Sequence, residues 1–290
     1  MCELFGISSK HPTTVQFSLA EFARRGGGTG PHIDGWGVGF FRDGDFLLVR
    51  EPAPSHASAH LQFIRDQQIH SALVVSHIRK ATQGSVCLRN TQPFQRESGG
   101  RPHLFAHNGD LGPIRLRADL APACYRPIGE SDSEFSFCIL MGMLQPLWHS
   151  ESAPSFQLRF QAFCDFVSHM ATLGAANFLY SDGEYLFAHS HRRRQDDGEI
   201  RAPGLFILTR AHHEHDALSG MTIDEGCSDG QIVTLLASVP LSDEAWQPVP
   251  EHTALALYQG NLVAQRQLKQ QPLTQQLTDS DTALPLSASL

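Results

Sequence analysis

Met1-Cys2-Glu3-Leu4-Phe5-Gly6-Ile7 opens the chain, with a cysteine behind the initiator methionine and at the head of an apolar run. Cysteine is small, so the methionine ahead of it can be trimmed, which leaves a thiol and a free α-amine on one carbon. A thiolate is a good acyl nucleophile, and an α-amine with a pKa of about 8 is a base placed beside it. Taken alone, a cysteine at position 2 is usually incidental, so its reading turns on what lies downstream. Residues 4–8 read as a first strand buried on both faces.

Moving outward, apolar residues at helical spacing (Val15, Phe17, Leu19, Phe22) predict a helix over 15–24. Arg25-Gly26-Gly27-Gly28-Thr29-Gly30-Pro31 reads as a loop. Residues 36–42 and 45–50 read as strands joined by the Asp43-Gly44 turn. A helix capped by Ser55 is predicted to run to 67, and a buried strand over 71–77. A polar loop is expected over 79–100, then a strand over 104–107. Asn108-Gly109 fits a type I′ turn, or a loop shaped for another purpose, since its flanks do not alternate. Ser131 or Asp132 can cap a helix through 147, and a second helix covers 155–173. Short strands follow at 177–180, 185–189, 204–208, 231–237, 254–258 and 262–265, with turns at Asp182-Gly183 and Gly260-Asn261. Strands, two central helices and more strands suit two antiparallel sheets with helices packed outside them. They do not alternate as a doubly wound parallel sheet requires.

The 290 residues, 41% hydrophobic and 18% charged, describe an ordinary globular protein with one sizeable core. A net charge of −8 argues against a nucleic-acid partner. No basic segment followed by a long apolar one heads the chain, and no apolar run is long enough to span a bilayer. A cytoplasmic protein with no membrane association is expected. The six cysteines lack paired spacing, which suits free thiols. A domain over 2–266 and a loosely ordered Gln/Ser/Thr-rich tail over 267–290 are expected.

Four stretches behind Cys2 carry side chains suited to amino acid amide chemistry. They are Ser76-His77-Ile78-Arg79-Lys80-Ala81-Thr82-Gln83-Gly84, Asn90-Thr91-Gln92-Pro93-Phe94, Ala106-His107-Asn108-Gly109-Asp110-Leu111 and Gly129-Glu130-Ser131-Asp132-Ser133-Glu134-Phe135. An arginine grips an α-carboxylate through two hydrogen bonds, an aspartate holds an α-ammonium group, and a side-chain amide with a backbone N–H receives an oxyanion. Arg79, Asp132, Asn108 and Gly109 are residues of those types.

The ordered set of N-terminal Cys, H-x-R-x-A-T-x-G, N-x-x-P-F, H-N-G and S-D-S-E resembles the class II glutamine amidotransferases, which are N-terminal nucleophile hydrolases. Asp34-Gly35-Trp36-Gly37-Val38-Gly39 resembles a further segment of that family. The resemblance implies an α+β fold, a four-layer αββα sandwich of two antiparallel sheets. It implies Cys2 as nucleophile with its own α-amine as base, Asn108 and the Gly109 N–H as oxyanion hole, and no cofactor. Arg79 would bind the glutamine α-carboxylate and Asp132 its α-ammonium group; Thr82 would line the same pocket and Arg25 would brace the N-terminus. Lys80 and Gln83 stand where synthase-branch members carry tryptophan and histidine. The pattern looks most like stand-alone bacterial amidotransferase-like proteins of the YafJ type. The implied activity is release of ammonia from glutamine, with a separate ammonia-accepting synthase subunit as possible partner. The alternatives are hydrolysis of a γ-glutamyl amide or peptide, or an inert binding protein of the same fold.

Other polar clusters have plainer readings. His212-His213-Glu214-His215-Asp216 lacks metal-site spacing and reads as a surface loop, so no metal is expected. Arg192-Arg193-Arg194 is followed by Asp196, Asp197 and Glu199 and reads as a solvated loop of mixed charge. Gly26-Gly27-Gly28 reads as a flap near the substrate rather than a phosphate cradle. Cys138 and Cys164, in predicted helices, are expected to be buried.

Overall fold

The computed structural model describes residues 1–14, 16–82, 84–112, 114–122, 124–149, 152–211 and 230–269. The expected His212–Asp216 loop, Cys227 and the tail from 270 lie outside the described residues.

The first strand, β1 (Glu3–Thr13), outruns its predicted span and lies at the middle of the molecule. Helix α1 (Gln16–Arg24) follows, then the hairpin of β2 (Trp36–Arg42) and β3 (Asp45–Glu51), helix α2 (Ala59–Asp66) and β4 (Ser71–Ile78). A second hairpin pairs β5 (Phe94–Ser98) with β6 (Arg101–Asp110). Helices α3 (Asp132–Leu144) and α4 (Phe156–Ala171) come next. The remainder is strand: β7 (Ala175–Ser181), β8 (Leu186–Ser190), β9 (Arg193–Arg194), β10 (Ile200–Arg201), β11 (Phe206–Ala211), β12 (Ile232–Ala237), β13 (Gln247–Pro248), β14 (Thr253–Tyr258) and β15 (Asn261–Gln267).

These strands form a seven-stranded sheet, β13-β11-β12-β1-β4-β2-β3, and a six-stranded sheet, β15-β14-β8-β7-β6-β5. Every pairing within them is antiparallel. Three cores separate four layers. Phe5, Ile7, Val38 and Val74 meet Leu19, Phe22, Leu61 and Ile64 of α1 and α2. Leu4, Leu73 and Val75 of the first sheet meet Leu104, Leu179 and Leu255 of the second. Phe105, Phe178 and Phe187 meet Phe137, Phe163 and Phe166 of α3 and α4. Alternation along β1 thus sends Leu4 between the sheets and Phe5 toward the helices, so an apolar run without polar interruption is buried twice over. The sheets approach closely at Gly6, where an added Cβ would lie 2.9 Å from Leu179 Cδ1. This is the expected αββα sandwich.

Helix α3 is apolar around most of its circumference because it is buried from Phe135 to Met141 and again at Leu144. Ser131 caps it, accepting from Glu134 N at 3.2 Å, and Ser155 caps α4. Cys138 and Cys164 are buried as expected.

Three local expectations need correction. The helix predicted from Ser55 is a short 3₁₀ turn at Ser55–Ala57, followed by α2 with Ser58 as its cap; Ser55 Oγ donates to Ala23 O instead, at 2.7 Å. The polar stretch over 79–100 contains β5, whose mixed sequence Phe-Gln-Arg-Glu-Ser hid it. Asn108-Gly109 is neither turn nor loop: β6 runs straight through it, pairing Asn108 with Asn177 and Gly109 with Ala176. Tertiary pairing overrides the local turn preference there.

Candidate active site

The site is built where β1 begins, β4 ends and α3 starts. Cys2 precedes β1, and its sulfur lies against the Lys80 peptide, with Lys80 N at 3.4 Å and Lys80 O at 3.5 Å. Burial pushes the thiol pKa up; the Lys80 N–H, the chain's N-terminal ammonium and Arg79 pull it down, and Asp132 pushes it up. The sulfur therefore feels both charged side chains that the sequence nominates as substrate ligands. Burial also lowers the N-terminal amine, here on Met1, which favours its neutral, basic form.

Arg79 ends β4. Its guanidinium donates to Ser85 O at 2.9 Å and Gly84 O at 3.2 Å. The Asp34-Gly35 segment shapes the backbone around it: Arg79 N donates to Gly35 O at 2.7 Å, and Asp34 Oδ2 accepts from Ala81 N at 2.8 Å. Asp132 opens α3 and is buried, accepting from Leu111 N and Ser133 N, each at 2.9 Å.

The other motifs hold these parts in register. Asn90 donates to Ser85 O at 3.0 Å and to Glu130 Oε2 at 2.6 Å, and accepts from Glu130 N at 2.8 Å. It thereby joins the loop under Arg79 to the turn that launches Asp132. Gln92 pairs its side-chain amide with the His107 backbone. The His107 ring spans Ala175 O at 3.2 Å and Ser133 Oγ at 3.0 Å. A carbonyl only accepts, so Nε2 carries the proton and Nδ1 accepts from Ser133; burial keeps this ring below its ordinary pKa and neutral. His107 thus ties β6 to the first turn of α3.

Asn108 is fully buried. Its Nδ2 donates to Ser238 Oγ at 3.1 Å, and that hydroxyl also accepts from Leu4 N at 2.9 Å. The amide is therefore two hydrogen bonds from β1, the strand that follows Cys2. Gly109 cannot be replaced without movement, since a Cβ there would lie 1.8 Å from Ala175 O.

In front of Cys2 lies a cleft of about 380 Å³, walled by Glu3, Arg25, Pro31, His32, Lys80 and the hairpin residues Arg193 to Asp196. Arg25 clamps the buried Glu3 carboxylate, Nε to Oε2 at 2.5 Å and Nη2 to Oε1 at 2.7 Å, and His32 Nε2 reaches Met1 O at 2.8 Å. Arg25 thus braces the chain beside Cys2. Arg79, Asp132 and Asn108 are buried and do not wall this cleft. Thr82 is exposed and does not wall it either. The glycine-rich loop contributes Thr29, Gly30 and Pro31 to the wall. A larger groove, about 940 Å³, lies between α2 and the β2–β3 hairpin and contains no cysteine. Sequence reasoning gave no role to Glu3 or Ser238 and missed the 193–201 hairpin. A lone glutamate or serine beside a strand carries no local signal, and the hairpin was masked by its mixed charge.

The family described as class II glutamine amidotransferases matches residues 1–281. YafJ of Escherichia coli (strain K12) is 36% identical over 251 residues, 86% of this chain and 94% of its own. The 2.0 Å crystal structure of a predicted glutamine amidotransferase from Pseudomonas aeruginosa PA01 superposes with a TM-score of 0.63 at 29% identity, covering 91% of this chain and all of that one. The glutamine phosphoribosylpyrophosphate amidotransferase of Bacillus subtilis shares the fold, with a TM-score of 0.56 at 15% identity over 92% of this chain and 49% of its own. By sequence and by architecture, this chain belongs to the class II glutamine amidotransferases.

Proposed function

We propose that the protein, once Met1 is removed, hydrolyses the side-chain amide of glutamine through a thioester on Cys2. The observation that carries this reading is electrostatic and geometric: one thiol lies in the field of both Arg79 and Asp132, with the Asn108 amide linked to its strand through Ser238. Arg79 takes the substrate α-carboxylate and Asp132 the α-ammonium group. The α-amine of Cys2 accepts the thiol proton as sulfur attacks the amide carbon. Asn108 Nδ2 and Gly109 N–H hold the oxyanion; the C–N bond breaks, and the amine returns its proton to the departing ammonia. Water, deprotonated by the same amine, then cleaves the thioester and releases glutamate.

Arg25 serves by fixing Glu3 beside the N-terminus. The class II glutamine amidotransferase domain runs over 2–266, and the protein acts in the cytoplasm on its own or beside a synthase subunit that consumes the ammonia. Hydrolysis of a γ-glutamyl amide or peptide would use the same residues and is the alternative reading.

The experiment is an assay of ammonia and glutamate release from glutamine and a panel of γ-glutamyl compounds. It is paired with labelling by diazo-oxo-norleucine and intact mass spectrometry. The expected result is a chain lacking Met1, labelled once, with label and turnover both lost in Cys2→Ala. A chain that retains Met1 and neither labels nor turns over any member of the panel refutes the proposal and leaves the inert binding protein.

A further inference from the structure

A second cluster stands apart from Cys2, at neighbouring ends of β8 and β14, where Ser190 pairs with Thr253. His191 directly follows β8, and Glu251 and His252 directly precede β14. His191 Nε2 is 3.3 Å from Glu251 Oε1, and His252 Nε2 is 3.7 Å from the same oxygen. Among the described residues, this is the one group of three such side chains whose ligand atoms lie within 4.8 Å of one another.

The donor set is two imidazoles and a carboxylate, which suits zinc. A tetrahedral zinc ion bound at 2.0–2.2 Å to nitrogen and oxygen sets its ligands roughly 3.3–3.6 Å apart. The 3.3 Å spacing falls within that range, and the 3.7 Å spacing lies about 0.1 Å beyond it. The cluster also has an inner and an outer side: the His191 side chain is 2% exposed, His252 14% and Glu251 36%. Two ligands are held by the fold, while the third faces solvent, which leaves room for a water as fourth ligand.

The cluster sits at the root of the cleft wall. The His191 N–H donates to Asn177 Oδ1 at 2.7 Å, and Asn177 Nδ2 donates to Arg192 O and to Asn108 O, each at 2.9 Å. Two residues on, β9 starts the hairpin that walls the cleft before Cys2. We propose that His191, Glu251 and His252 bind one zinc ion, and that this ion clamps the root of the 193–201 hairpin. The proposal does not depend on what Cys2 does.

The test uses the full chain without an affinity tag, dialysed against zinc and then against metal-free buffer, with metal measured by elemental analysis. One zinc per chain is expected. Glu251→Gln and His252→Asn should each weaken binding by at least about 10–100-fold, the loss already typical of removing an outer-shell partner. His252 has φ +58°, a conformation asparagine accepts well, so His252→Asn removes the ligand without straining the turn. Cobalt in place of zinc should give tetrahedral d–d bands without thiolate charge transfer. With zinc, amide exchange in 193–201 should slow in the wild type and not in His252→Asn. Failure to retain zinc, equal retention by His252→Asn, or a thiolate band lost in Cys2→Ala overturns the site. Zinc bound without slower exchange overturns the clamp.

Discussion

Removing the Arg25 guanidinium should cost the protein about 3 kcal/mol of stability. Its partner Glu3 is one residue from Cys2, and the Glu3 side chain is only 3% exposed. Breaking a buried ion pair from one side typically costs about 3–5 kcal/mol, because the remaining charge is left without compensation. Three features decide where in that range this pair falls. The Arg25 side chain is 27% exposed, so part of its own charge is already solvated. Arg193 also feels Glu3 and softens the loss. His32 Nε2 lies 3.9 Å from Glu3 Oε1, but burial holds this imidazole below its ordinary pKa, so it is largely neutral at pH 7 and cannot replace the guanidinium. The low end of the range follows. The assay is urea unfolding of wild type, Arg25→Ala, Glu3→Gln and the double variant, with stability read from midpoints at constant slope. The double variant should recover about 2 kcal/mol relative to additivity, since no buried carboxylate is then stranded. Arg25→Ala costing under about 1 kcal/mol, as an exposed pair does, would refute the reasoning, and so would strict additivity.

Asn108→Ala should lower glutamine turnover by about 10²–10³-fold while leaving some activity, as loss of a single oxyanion donor does; steady-state ammonia release measures it. Gly109→Ala should destabilise by about 1–3 kcal/mol, because the new methyl meets Ala175 O and the strand must shift, and thermal melts report it. Burial holds His189 down to about 3 and His191 to about 4, from an ordinary 6.5. The unfolded chain binds protons that the folded chain refuses, so the contribution of these rings is complete above about pH 6.5 and is lost as the pH falls below it. Each ring costs about 1.4 kcal/mol per pH unit below that point, so the pair withdraws roughly 4 kcal/mol between pH 7 and 5. Urea midpoints of chelator-treated protein should fall across that interval, and midpoints that stay level would contradict the buried, neutral rings.

The layer order was legible because it rests on patterns that burial imposes over long spans. The apolar run after Cys2 and the two capped central helices needed only periodicity and Ser131 or Ser155 to be found. What escaped was decided by partners distant in sequence. Phe94–Ser98 pairs as a strand because Arg101–Asp110 lies beside it, not because its own residues favour pairing. Asn108-Gly109 stays extended because Asn177 and Ala176 hold it there. The candidate site divides along the same line. Arginine, aspartate and asparagine could be nominated by type, and the order of motifs placed them in a family. That Asn90 connects the Arg79 loop to the Asp132 turn could not be read from spacing, since its bonds span 40 residues. The same holds for Ser238, which reaches Leu4 across 234 residues. A short motif in this protein is therefore less a set of reacting groups than a set of ties between segments. Its polar side chains hold backbone positions, and the groups proposed to react are few. It follows that many substitutions within the motifs should misplace Arg79, Asp132 or Asn108 rather than remove chemistry. Their kinetic signature would be weaker substrate binding and slower labelling together, whereas Cys2→Ala should abolish labelling with binding intact.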